Sequence, residues 1–306
     1  MEILISAVIC TFNRSTYVGK AVQSLLEQTL DHSQYEIIVV DNNSTDDTKA
    51  AIDQQFSQVN NLKYVFEKKV GLSQARNTGL AQAAGQYIAY LDDDAIAAPT
   101  WLERIVNCFQ NIQPVPGSVG GKIEPIWESP RPEWLPDQFL GYLTIVDWSD
   151  APFWVEKPKY IAGANMAFLR SVLDQVGGFN VALGRQGKKL LSNEELYLQG
   201  LIQKQGHGIY YDPAISVKHH VTPSRLTQSW FIQRLYWQGV SMAKSELQDT
   251  PSNFLKRLGL VARSLRKFVR KPQHLIYVFI PAKTKELFLE KCTRFRELGY
   301  CRGLLS

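Results

Sequence analysis

Four short apolar runs, residues 5–10, 36–40, 62–66 and 86–91, recur through the first third of the chain, and each ends in or just before a polar cluster. Between the first two, Val18, Ala21, Val22, Leu25 and Leu26 fall on one face at helical spacing. The next gap opens on Asn43-Ser44-Thr45-Asp46-Asp47, which is rich in helix N-cap residues, and a third helix is expected from Ser73. Strands alternating with helices of this length imply βαβ units and right-handed crossovers. The expected fold class is therefore α/β, with a mostly parallel central sheet and helices on both faces. Ligands of such sheets bind beyond the carboxyl ends of the strands. Thr11, Phe12, Asn13 and Arg14 follow the first strand, Asp41 and Asn42 close the second, residues 68–76 follow the third, and Asp92, Asp93 and Asp94 close the fourth. All four clusters land on one edge, where a single site is expected.

Asp92, Asp93 and Asp94 raise the sharpest chemical question. Three adjacent carboxylates raise one another's pKa and strain a compact fold unless positive charge sits among them. A divalent cation meets that need, and clustered oxygen ligands suit Mg²⁺ or Mn²⁺. Mg²⁺ is commonly held by one or two carboxylates together with substrate phosphates, which points to a phosphorylated substrate. A solvated acidic turn is the plainer alternative for the triplet taken alone.

The chain of 306 residues is 45% hydrophobic and 21% charged, ordinary for a water-soluble globular protein with a sizeable core. No apolar run reaches the eighteen or so residues of a membrane span, and the longest late run, 275–282, is far shorter. The first ten residues lack a basic flank and read as a buried strand rather than an export signal. Cys10, Cys108, Cys292 and Cys301 show no metal-ligand spacing and read as reduced thiols, so a cytoplasmic location is expected. The net charge of +5 is uneven: residues 246–306 carry 13 Lys or Arg against 5 Asp or Glu.

Thr11-Phe12-Asn13-Arg14, Val39-Val40-Asp41-Asn42-Asn43-Ser44-Thr45-Asp46, Gly71-Leu72-Ser73-Gln74-Ala75-Arg76-Asn77-Thr78-Gly79 and Leu91-Asp92-Asp93-Asp94 occur in this order. Gly163-Ala164-Asn165-Met166, Val176-Gly177-Gly178-Phe179-Asn180 and Asn193-Glu194-Glu195 follow them. Together these segments resemble family 2 glycosyltransferases of the GT-A fold, over roughly residues 3–245. The resemblance implies an inverting, metal-dependent transfer of a sugar from a nucleoside-diphosphate sugar, a UDP-sugar first among them, to a hydroxyl of a glycan or lipid-linked acceptor. Polysaccharide or cell-surface glycoconjugate synthesis is the implied pathway class. It further implies that Thr11, Phe12, Asn13, Arg14, Asp41 and Asn42 contact the nucleoside. Many members carry Asp-Asp where this chain has Asp41-Asn42. Arg76 is placed to meet phosphate oxygens or to pair with the Asp cluster. Asp92 and Asp94 form the D-x-D pair, with Asp94 the direct ligand of Mn²⁺ or Mg²⁺ and Asp92 or Asp93 touching ribose or a bound water.

Inversion also requires a base for the attacking hydroxyl. The resemblance puts it in Glu194-Glu195, where the family usually has Glu-Asp, with Glu195 as base and Glu194 beside it. His219-His220 is the other cluster: adjacent residues of a strand point to opposite faces, so one of them at most faces the site, and His220 is taken as the metal ligand. Trp127, Trp134, Trp148, Trp154 and Tyr160 line a Pro-punctuated stretch that suits a sugar groove or loop anchoring.

The expected organisation is a GT-A domain over 1–245, with a nucleotide-sugar half at 1–120 and an acceptor half at 121–245, followed by a basic helical extension at 246–306. Arg257, Arg263, Arg266, Lys267, Arg270 and Lys271 interleave there with apolar residues. That pattern fits either a charged face whose apolar side packs on the domain or a helix lying on the inner face of an anionic membrane. Nucleic acid is not an expected partner, because no recognised module accompanies the charge. A catalytically silent glycan-binding relative is the alternative outside enzymes. A nucleotidyltransferase is the alternative within them, although the Gly-rich loop with Lys that it needs after the first strand is missing.

Overall fold

Strands β1 (Ile5–Thr11), β2 (Tyr35–Asp41), β3 (Leu62–Phe66) and β4 (Tyr87–Asp92) run parallel in the order β3-β2-β1-β4. The computed structural model describes residues 3–187, 189–250, 253–270, 282 and 284–306. Of the basic and apolar positions expected in the tail, Lys271, the run 275–281 and the side chains of 267–270 lie outside the described residues.

β1, β2 and β4 are buried along nearly their whole length, as expected of apolar strands covered on two faces, whereas β3 at the sheet edge is half-buried. The register aligns Thr11 with Asp41, Cys10 with Asp92, and Asp41 with Phe66. The polar ends of these strands therefore share one edge.

Shorter strands follow: β5 (Ala95–Ala97), β6 (Ser118–Gly120), β7 (Ile123–Trp127), β8 (Phe153–Trp154), β9 (Asn165–Leu169), β10 (Ile209–Tyr211) and β11 (Val217–Val221). β9 is antiparallel to both β4 and β6, β10 is parallel to β6, and β8 closes the eight-stranded sheet. β5, β11 and β7 form a separate three-stranded sheet. The architecture is a mixed α/β one with a large, mostly parallel central sheet.

The chain divides into two compact units. The first holds Met1–Ile126, Thr144–Val181 and Glu194–His220. Its helices are α1 (Ser15–Leu26), α2 (Thr48–Phe56), α3 (Leu72–Gln82), α4 (Trp101–Asn111), α5 (Arg170–Val176) and α6 (Glu194–Lys204). α1 buries Val18, Ala21, Val22 and Leu25, the face its spacing predicts. α3 lies so close to β1 that a Cβ on Gly79 would stand 2.4 Å from Val8 Cγ1.

Asn165 ties this unit together from a fully buried position. Its Oδ1 accepts from Trp101 Nε1 at 2.8 Å, and its Nδ2 donates to Lys122 O at 3.0 Å and Ile215 O at 2.7 Å. Gly178, at φ +73°, follows α5 where an added Cβ would meet Asn77 Oδ1 at 2.8 Å. Asn77 in turn holds that turn by exchanging two 2.8 Å hydrogen bonds with the Phe179 backbone.

The second unit holds Trp127–Leu143, Ala182–Asn193 and Val221–Ser306, with helices α7 (Gln228–Asp249), α8 (Phe254–Arg270) and α9 (Lys285–Leu305). α7 and α9 approach through glycines: a Cβ on Gly239 would lie 1.9 Å from Arg296 O, and one on Gly299 1.9 Å from Tyr236 O. Trp134, Phe139, Phe231 and Phe288 form an aromatic cluster in this unit, with ring centroids 5.0 to 6.3 Å apart. All four cysteines are free thiols, and no helix among the described residues is long and apolar enough to cross a membrane.

Candidate active site

β4 delivers Asp92 to the sheet edge, and the tight turn into β5 carries Asp93 and Asp94. Asp94 is buried. Its Oδ1 lies 3.1 Å from His219 Nε2 and its Oδ2 lies 3.5 Å from Arg14 Nη2. The antiparallel register of β11 on β5 sets His219 opposite Ala95, and His220 N donates to Asp94 O at 2.9 Å. Strand alternation then decides between the two histidines. His219 faces the carboxylates, while the His220 ring packs edge-on against Tyr17 with centroids 5.2 Å apart. The ring beside the D-x-D pair is thus that of His219, not that of His220.

One ligand atom each from Asp92, Asp94 and His219 lie within 4.8 Å of one another. Two carboxylate oxygens are donors that suit Mn²⁺ or Mg²⁺, and the imidazole nitrogen is a donor of the kind transition-metal ions take. The electrostatics around them fit a cation as well. Burial, and next the charge of Asp94, push the Asp93 carboxyl well above the usual carboxylate range. Burial works against the Arg14 guanidinium, but the charges of Asp94 and Asp93 outweigh it and raise its pKa.

Arg76 is also buried, on α3. Its Nη1 donates to Glu194 Oε1 at 2.9 Å, its Nη2 lies 3.6 Å from Asp92 Oδ1, and its Nη2 donates to Gly163 O at 3.4 Å. The guanidinium also stands 5.3 Å from the centre of the Phe179 ring. Burial opposes its charge, yet Glu194 and Asp92 more than compensate and raise its pKa. The pairing with carboxylates expected for Arg76 is present. It joins the acidic triplet to the first turn of α6.

Glu194 and Glu195 open α6, directly after Asn193 at φ +73°. Glu194 Oε2 and Glu195 Oε2 are both sealed from solvent with no hydrogen-bond partner. Burial, and next the neighbouring Glu194 charge, raise the Glu195 carboxyl well above the ordinary glutamate range. A helix N-terminus supplies some compensating positive potential.

At the other end of the edge, Asp41 accepts from Ser44 N at 2.8 Å and from Tyr64 Oη at 2.6 Å. Tyr64, raised in pKa by burial and next by Asp41, sits with Lys49 Nζ 5.2 Å from its ring centre. The Asn42 amide is engaged by backbone: Oδ1 accepts from Gly71 N at 2.7 Å, while Nδ2 donates to Lys69 O at 2.7 Å and Glu67 O at 3.3 Å. Asn13 does similar work, donating its N–H to Ser44 Oγ at 2.9 Å and accepting from Thr45 N at 2.7 Å. Both residues brace loops. Thr11 is buried at the end of β1, and Phe12 beside it is 39% exposed.

Every residue singled out at this edge, from Thr11 to Glu195, falls within the first unit. Tyr64 carried no signal as a site residue, because it sits mid-strand in an alternating run. Among the aromatic residues, Trp148 donates from Nε1 to Tyr160 O at 2.8 Å, joining two loop positions, while Trp154 of β8 packs on Tyr210, its partner across the sheet on β10.

The description "Glycosyl transferase family 2" matches residues 6–177, more than half of the chain. A glucosyl-dolichyl phosphate glucuronosyltransferase of Haloferax volcanii is 29% identical over 318 residues, spanning 99% of this chain and 96% of that protein. Among solved structures, the mannosyltransferase PcManGT of Pyrobaculum calidifontis, in complex with GDP-Man and Mn²⁺, superposes with a TM-score of 0.65 at 18% identity, covering 99% of this chain and 88% of that one. S. aureus TarS 1-349 in complex with UDP does so with a TM-score of 0.53 at 14% identity, covering 98% and 92%. The fold is the GT-A-like one that the motif order led us to expect, and the chain belongs to glycosyl transferase family 2.

Proposed function

We propose that this glycosyltransferase moves a sugar, with inversion, from a nucleoside-diphosphate sugar to a hydroxyl of a glycan or lipid-linked acceptor, with a UDP-sugar as the first donor to test. The observation that carries the reading is Arg76, buried between Asp92 and Glu194, which couples the carboxylates of the donor end to those of the acceptor end. A relative named for glucosyl-dolichyl phosphate, and structural neighbours in complex with GDP-Man and Mn²⁺ or with UDP, support it.

In this reading Asp92, Asp94 and His219 hold Mn²⁺ or Mg²⁺, and the bound ion supplies positive charge to the diphosphate leaving group. Asp41, kept in place by Tyr64 and Ser44, receives the base or ribose, and the partly exposed Phe12 ring covers the base. Asn13 and Asn42 serve the nucleoside through the loops they brace. Arg14 and Arg76 counter the negative charge that gathers as the diphosphate departs.

Glu195 takes the proton. The acceptor oxygen bonds to the anomeric carbon, the carbon–oxygen bond to the diphosphate breaks with its electron pair leaving on phosphate, and the hydroxyl proton passes to the glutamate. An unpartnered Oε2 and a raised pKa suit a general base working near neutral pH. Glu194, paired with Arg76, steadies its neighbour. We assign the donor half to residues 1–120, the acceptor half to 121–245, and peripheral contact with the inner face of a membrane to the extension at 246–306.

Calorimetric titration of UDP-, GDP- and dTDP-sugars, with and without Mn²⁺, tests the donor end. One donor should bind in a metal-dependent way, and Asp94→Ala should weaken that binding by about tenfold or more. Absence of binding by every nucleotide sugar under both conditions would leave a catalytically silent glycan-binding protein as the better description.

A further inference from the structure

Helix α8 presents three faces of different character. Arg257, Leu260, Val261 and Ser264 recur at helical spacing and are half-buried, the side on which the helix packs. Phe254, Leu255, Leu258, Ala262 and Leu265 are exposed, and at 3.6 residues per turn they fall on one arc of about 100°. Phe254 is 62% and Leu255 76% accessible, far more than a surface helix needs to leave bare. Lys256, Arg263 and Arg266 occupy the arc beside it and are exposed as well.

The charge along this stretch of sequence has one sign. Between Asp249 and Glu286 the sequence contains nine Lys or Arg and no Asp or Glu. Asn253 caps the helix, accepting from Lys256 N at 2.9 Å, so the amphipathic segment begins at a defined point.

We propose that α8 is a membrane-surface helix that seats the enzyme on an anionic bilayer. Phe254, Leu255, Leu258 and Leu265 enter the boundary between headgroups and acyl chains, while Lys256, Arg263 and Arg266 meet lipid phosphates. Charge selects this occupant over a second copy of the chain, whose own α8 would bring like charge to the same face. Nucleic acid would satisfy the basic arc and leave the apolar arc in water. A lipid-linked acceptor would share that bilayer, but the inference does not depend on the acceptor, because vesicle binding is read without donor or acceptor.

Flotation of the full chain with phosphatidylcholine vesicles, with and without phosphatidylglycerol, is the test. The protein should float with the anionic vesicles, stay behind with the neutral ones, and dissociate as salt rises. Phe254→Ser with Leu258→Ser, and separately Arg263→Glu with Arg266→Glu, should each lower partition by about tenfold or more. Thermal melting of the same samples checks folding, and Leu255→Ser, at the most exposed of these positions, replaces any variant that fails to fold. Parental flotation by the apolar variants, or no flotation of the parent with anionic vesicles, would overturn the proposal. So would a concentration-dependent dimer that Phe254→Ser disrupts, which would give the face to a second copy.

Discussion

Asn42 shows how one amide can decide whether a loop is available to a ligand. Its Nδ2 donates to two carbonyls, Lys69 O and Glu67 O, and its Oδ1 accepts from Gly71 N. A carboxylate at this position keeps the acceptor and loses both donors, leaving negative charge against two carbonyl oxygens. Asn42→Asp should therefore cost about 1–3 kcal/mol in chemical denaturation. It should also weaken donor binding through the displaced loop, and unchanged stability would show that the loop has another brace. The same paired-group logic makes Arg76 sensitive in both directions: removing one member of a buried ion pair strands the other. Such roles are invisible in sequence. Asn42 reads as half of an acidic motif, and only the approach of residues 67–71 shows that it must donate.

At the scale of elements, the sheet edge was legible because the strands of a βαβ array end where ligands bind: Thr11 aligns with Asp41, and Asp92 aligns with Cys10 one residue earlier. The acidic pair at the start of α6 was singled out only by the family resemblance, since two adjacent glutamates are equally at home on a solvated helix face. Which histidine meets Asp94 was not legible. Alternation says that one of the pair faces the site, but the choice depends on how β11 registers against β5. Tyr64 went unnoticed for the related reason that a strand residue declares its partner only when β3 lies beside β2. The helical pairing in the second unit was equally hidden, since it rests on what Gly239 and Gly299 lack. Each would drive a Cβ to 1.9 Å from a backbone oxygen of the facing helix. Gly239→Ala should cost about 1–3 kcal/mol, read as a lower melting temperature. An unchanged melting temperature would mean that α7 and α9 separate without penalty.

Across the whole molecule, the residues proposed for sugar transfer lie in the first compact unit, while the basic charge collects in the last helices of the second. The proposed reaction and the proposed membrane seat thus rest on different residues, and the two can be tested apart. The proposed reaction turns on one proton. Glu195 must be ionised to accept it, and burial beside Glu194 raises the pH at which that happens. Turnover should therefore fall as pH falls through that raised pKa, and the acid limb should belong to this carboxyl. The most direct measurement compares donor affinity and turnover, across pH, for the parent and Glu195→Gln. We expect the variant to bind donor within about twofold of the parent while turnover drops by about 10²–10⁴ and the acid limb disappears. A variant that keeps both its turnover and its acid limb would contradict the account.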